Sequence, residues 1–144
     1  MSDQLKQLYH QDLNLWRQEI IIAIQSRKLE AMDWNNLVEE INDMGASEKR
    51  ALRSYTKRLI EHILKLKYWD NEREYNQRSW KKEVVNFREE MKSILDESPS
   101  LNNYLQQNYL DWYQKSVKAM RQEFTIPDDN LVDLQVIMTD DYFG

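Results

Sequence analysis

Residues 47–68, SEKRALRSYTKRLIEHILKLKY, decide how the chain reads. Leu52, Tyr55, Leu59, Ile63 and Leu66 recur at steps of three and four, with Lys and Arg on the opposite side. That is the repeat of one buried helix face, and nothing within the segment breaks it.

The same repeat runs outward in both directions. Leu5, Leu8, Tyr9, Leu13, Trp16, Ile20 and Ile24 predict one long amphipathic helix over about Asp3 to Arg27. The pattern lapses from Lys28 to Met32, and Asp33 stands where an N-cap could accept free N–H groups of a new helix. Leu37, Ile41 and Met44 carry that short helix to Gly45, which suits a left-handed position after a helix end, with Ser47 capping the next start. Downstream, residues 70–74 read as a connection before Trp80, Val84, Phe87, Met91 and Leu95 mark a fourth helix. Ser98 and Pro99 resemble an N-cap followed by proline at the first helical position. A fifth helix then buries Leu101, Leu105, Trp112 and Met120 and runs towards Glu123, and a short one falls within Leu131 to Met138.

With only two Gly and two Pro in 144 residues, the fold class is all-α. The pattern predicts a single-domain bundle of about five main helices over residues 1–144, with short connections and an acidic tail, partly irregular, over about 125–144. Coiled coil fits less well, because the apolar stripes are broader than a two-in-seven seam. No repeat or linker divides the chain.

Composition narrows function by exclusion. The net charge is −5, which disfavours nucleic acid and anionic membrane as bulk partners. It is unevenly spread: between Glu48 and Lys92 there are 13 Lys and Arg against 8 Asp and Glu, so the middle is basic and both ends are acidic. Cysteine is absent, which removes disulfides, thiolate nucleophiles and sulfur-rich zinc sites together. Residues 1–3 lack a basic leader segment, and the apolar run Ile20 to Ile24 is too short to cross a bilayer. The expectation is a cytoplasmic protein with no membrane association. No phosphate-binding glycine loop, nucleophile elbow or dinucleotide fingerprint is present.

Four polar residues fall where helix faces are otherwise apolar. Asp12 lies one turn from Leu8 and from Trp16, and Glu40 sits among Leu37, Ile41 and Met44. Glu48, Tyr55 and His62 are spaced seven apart beside Leu59 and Ile63. Carboxylates and imidazole from facing helices are what a bundle uses to hold a divalent metal, so Asp12, Glu40, Glu48 and His62 form a candidate metal or binding cluster, and the alternative reading is a metal-binding protein or a metal-dependent enzyme. No Glu-x-x-His or His-x-x-x-His spacing accompanies them, and a hydrogen-bonded polar cluster or rim residues reaching water explain the same positions. A second candidate is the stripe Lys49, Arg50, Arg53 and Lys57, which with Tyr68, Trp69, Tyr75 and Trp80 would suit nucleic acid, an acidic partner or the chain's own tail. Its ordinary explanation is a solvated helix face. The aromatic content, with five Trp and eight Tyr, serves a core or a homo-oligomer interface equally.

One ordered set of motifs points further. Residues 33–41, DWNNLVEEI, then Met44-Gly45, Ser47-Glu48 and residues 62–65, HILK, closely resemble the bacterial domain-of-unknown-function family numbered twenty-nine, common in cyanobacteria. The likeness extends to Tyr9, Asp12 and Trp16 upstream and to Ser79-Trp80, Arg88 and residues 98–101 downstream, and it is weakest in the tail. It implies an all-helical fold and no established activity; the positions matching Asp12, Glu40, Glu48 and His62 belong to the family pattern without an assigned role. The reading as a whole is a small binding or regulatory module with an unknown protein partner and no evident catalysis, in which Asp12, Glu40 and His62 converge.

Overall fold

The computed structural model describes residues 2–144, with side chains from Asp3 onward. They are helical without a strand: α1 (Ser2–Gln11), α2 (Leu13–Gln25), a 3₁₀ turn (Leu29–Ala31), α3 (Trp34–Tyr68), α4 (Asp70–Glu97), α5 (Leu101–Met120) and α6 (Leu134–Ile137). The all-α class is therefore as the periodicity predicts. The chain divides into two compact units, Met1–Ser47 and Glu48–Gly144.

In the first unit, the expected long N-terminal helix is two helices. Asp12 leaves the helical region (φ −151°, ψ 91°), and its carboxylate accepts the Leu15 N–H at 3.0 Å as the N-cap of α2. An apolar repeat that continues through the break hides it, because residues on both sides still face Trp16. α2 then ends in a Schellman turn: the Lys28 N–H reaches the Ala23 carbonyl and the Arg27 N–H the Ile24 carbonyl. Arg27 takes the left-handed position at φ 55°, where glycine is the usual residue. The core of this unit is small, with Trp16, Ile20, Ala23 and Met32 buried and Leu5, Leu8, Tyr9 and Leu37 packed against them.

α3 overturns a second expectation. Gly45 does not end a helix, and Ser47 caps nothing; both lie inside 35 continuous helical residues. A Cβ at Gly45 would meet nothing within 4 Å, so neither backbone geometry nor neighbouring atoms require glycine there.

The second unit is built on three antiparallel helices. Glu48 meets Ser98, the Thr56 hydroxyl, which donates to the Leu52 carbonyl at 2.7 Å, lies 3.6 Å from the Met91 sulfur, and His62 stacks edge-on against Phe87, a descending register that only antiparallel α3 and α4 allow. Trp69 alone joins them, and α4 starts at once on Asp70 and Glu72, whose charges favour a helix N-terminus. The polar stretch expected as a loop is thus a first turn. α5 runs back alongside α3, with Lys49 over the Tyr104 ring at one end and Trp69 stacked on Phe124 at the other. Ser98 closes α4, so α5 begins at Leu101 and not at Pro99. Leu52, Leu59, Ile63, Val84, Met91, Leu105 and Trp112 form the centre of a large continuous core.

The tail belongs to that core. Ile126, Val132 and Ile137 are buried, although the segment is mostly irregular. Beyond the short α6 and its flanking turns, several of its backbone carbonyls are satisfied by side chains from the helices. Buried Arg88, 2% exposed, donates to the carbonyls of Ile137, Asp140 and Tyr142 at 3.0, 3.0 and 2.7 Å. The Tyr109 and Tyr113 hydroxyls donate to the carbonyls of Val132 and Asn130. Burial raises the pKa of both phenols, which keeps them donors.

Candidate functional site

Each candidate residue has a definite place. In the first unit, Glu40 is buried and takes two bonds from the Arg17 guanidinium, at 3.1 and 2.6 Å on one oxygen, while the Tyr9 hydroxyl stands 3.5 Å from the other. Desolvation, then the charge of Glu40, raises the Tyr9 pKa, so the phenol stays a donor to the carboxylate. Asp12, by contrast, is exposed and serves the start of α2. The two carboxylates do not share a partner.

In the second unit, Glu48 accepts from the Ser98 hydroxyl. His62 stands fourteen residues further along α3, about 21 Å at 1.5 Å per residue. Its Nδ1 is 2.8 Å from the Arg58 carbonyl, an acceptor, so Nδ1 carries the proton and Nε2 is left as the acceptor. Desolvation against Phe87 lowers the His62 pKa and favours the neutral ring, against an opposing bond to Arg58. Among the described residues, no three Asp, Glu or His side chains come together as a metal site.

The basic stripe is only partly free. Arg50 and Arg53 are exposed, Lys57 is half-buried, and the Lys49 ammonium lies 5.3 Å from the centre of the Tyr104 ring. The aromatic residues that were to stack bases are mostly consumed: Trp80 is buried, and Trp69 is stacked between Trp80 and Phe124. Tyr75 remains outside. The acidic tail does meet basic residues, but they are Arg88, Lys92 and Arg121, with Lys92 paired to Asp140 and Arg121 to Asp128.

Sequence reasoning missed the role of Asp33. Its carboxylate is fully buried, accepting from the Trp16 indole at 3.3 Å and the Asn36 amide at 2.7 Å, where an N-cap bond to backbone was expected. Its Oδ1 has no partner among the described residues. The signal was available as a tryptophan in core phase, whose N–H needs an acceptor once buried.

These polar contacts fix the roll of α3 within the first unit. Asp33 and Glu40 are seven residues apart, hence on one side of the helix, and both are drawn inward. The side carrying Trp34, Val38 and Ile41 therefore turns outward, and Met44 is exposed beside it. Trp34 is 53% exposed, Ile41 58% and Met44 64%. On α2, Leu13, Leu15, Ile21, Ile22 and Ile24 are exposed as well. A groove of about 420 Å³ lies in the same unit, lined by Leu5, Leu8, Ile22 and Ala23 with Glu19 and Lys28 at its border. Such a surface offers apolar contact and no concentrated chemistry.

Neither the curated proteins nor the solved structures include a match to the chain. A family profile does match, over residues 8–143, and its span covers most of both units, with Asp12, Glu40, Glu48, His62 and the basic stripe inside it. The chain therefore belongs to the family described as "Domain of unknown function DUF29".

Proposed function

We propose that this chain is a binding module that works through its first unit and performs no chemistry of its own. One observation carries the reading: of the fifteen large apolar side chains exposed among the described residues, ten lie in the first 47 residues. Scattered exposed apolar residues are ordinary, but a concentration on two successive helices and the turn between them is the mark of an interaction surface. The buried polar residues of the same unit are engaged in holding the helices, as with Glu40 to Arg17 and Asp33 to Trp16. The compartment proposed is the cytoplasm, where a chain without cysteine has nothing to lose from reducing conditions. No helix among the described residues is long and apolar enough to cross a membrane.

The test is capture from an extract of the native cell, comparing the immobilised wild type with Val38→Asp in the first unit and Leu110→Asp in the second. A protein held by wild type and Leu110→Asp but lost by Val38→Asp supports the reading. Identical capture by all three ends it.

A further inference from the structure

Trp34, Val38, Ile41 and Gly45 follow one another at steps of four, three and four along α3. At about 100° per residue they fall within some 60° of one another, a single stripe along the helix. The first three are exposed and apolar, and the fourth is a glycine in ordinary helical conformation with open space where its side chain would be. Glycine is the least favoured residue for a helix interior after proline, and nothing inside the unit requires it at this place. What a glycine in an outward apolar stripe permits is close approach by something from outside.

The stripe is complementary to itself. Its bulkiest member stands at one end and its gap at the other, eleven residues or about 16 Å apart. Turned about a two-fold axis between positions 39 and 40, a second stripe sets its tryptophan over the first one's glycine and its Val38 beside the first one's Ile41. The positions bordering the stripe are Asn35 and Asn42 on one side and Leu37 and Met44 on the other, so no like charges are brought together. Glu39 and Asp43 lie towards the far side of the helix.

We infer that the partner of this surface is a second copy of the chain: the first units pair through antiparallel α3 stripes, with Trp34 of each seated over Gly45 of the other. The inference rests on the binding reading above and names its occupant. The four partly exposed apolar side chains from Trp34 to Met44 offer less than the ~800 Å² each partner gives to a standard interface, so the dimer is a weak, reversible one.

Sedimentation equilibrium of the full chain from low micromolar to several hundred micromolar tests it. The expected result is a concentration-dependent dimer that Gly45→Leu weakens at least about tenfold. Leucine improves helix propensity, so the same variant melts no lower than wild type, which separates lost pairing from lost folding. The register is read by cross-linking, since the chain has no cysteine of its own. A mixture of Val38→Cys and Ile41→Cys proteins should form disulfide at least about tenfold faster than either alone, because only the mixed pair sits face to face. A monomer at every concentration, a dimer indifferent to Gly45→Leu, or equal trapping in all three samples would overturn the inference. A monomeric chain whose Val38→Asp variant still loses its captured protein retires the dimer alone and leaves the binding module standing.

Discussion

The two units solve the same problem with opposite resources. The second buries a long series of apolar side chains and can hold an irregular tail against them, because Arg88, Tyr109 and Tyr113 supply the hydrogen bonds that the tail cannot make itself. The first has Trp16, Ile20, Ala23 and Met32 at its centre and relies on polar pins, Asp33 to Trp16 and Glu40 to Arg17. Small cores leave proportionally more apolar surface outside, and this one leaves it on two helices. The difference teaches where to look for stability and where to look for partners.

The largest test of that contrast is Arg88→Met. It strips three carbonyls, that of Ile137 buried and those of Asp140 and Tyr142 partly so, of a charged donor and should cost about 3–5 kcal/mol. Hydrogen exchange should rise across residues 126–143 while residues 2–47 are unchanged; loosening of both units together would break the distinction drawn here. In the first unit, Asp33→Ala leaves the Trp16 indole and the Asn36 amide without an acceptor and opens a small cavity, at a cost of about 2–3 kcal/mol. Chemical denaturation followed by hydrogen exchange should show that loss confined to residues 2–47.

Smaller changes sharpen the same picture. Gly45→Ala adds a methyl to open space and should stabilise α3 by about 1 kcal/mol, visible as a rise in melting temperature. A fall would mean that the glycine is needed within the chain, against the role argued for it. The weakest effect is a pH dependence. The His62 pKa is lowered in the folded chain, so the unfolded state binds the proton more readily. Stability should therefore be complete above the ordinary value of 6.5 and decline as pH falls below it, down to the folded pKa. His62→Gln should flatten the difference between pH 7 and pH 5.5; two parallel curves would show that the ring is no less solvated folded than unfolded.

Legibility in the sequence followed physical range. Helix faces with a strict apolar repeat, such as Leu52 to Leu66 and Trp80 to Leu95, could be read because burial demands one side chain type at one spacing. Boundaries set by local hydrogen bonds were less visible. Asp12 interrupts a repeat that continues across it, Arg27 takes a glycine's position, and Gly45 lies where a break was expected and none occurs. Arg88 had left a sign, a cation one turn from Val84 and from Met91, but its three acceptors come from residues about fifty positions away. Among the site residues, the inward position of Glu40 was legible from its phase, whereas Asp12 in the same phase stays outside because it caps a helix.

The sequence by itself determined the all-helical class, the family and the faces that must be buried, since each is written in short-range spacing that no distant residue can alter. The tertiary structure alone decided which polar groups are spoken for and which apolar residues are left over. Asp33 finds Trp16, Glu40 finds Arg17, Arg88 finds the tail, and Trp34, Val38 and Ile41 find nothing within their unit. The physical reason is that a hydrogen bond or an exposed stripe is a relation between segments, and periodicity along one helix describes only that helix.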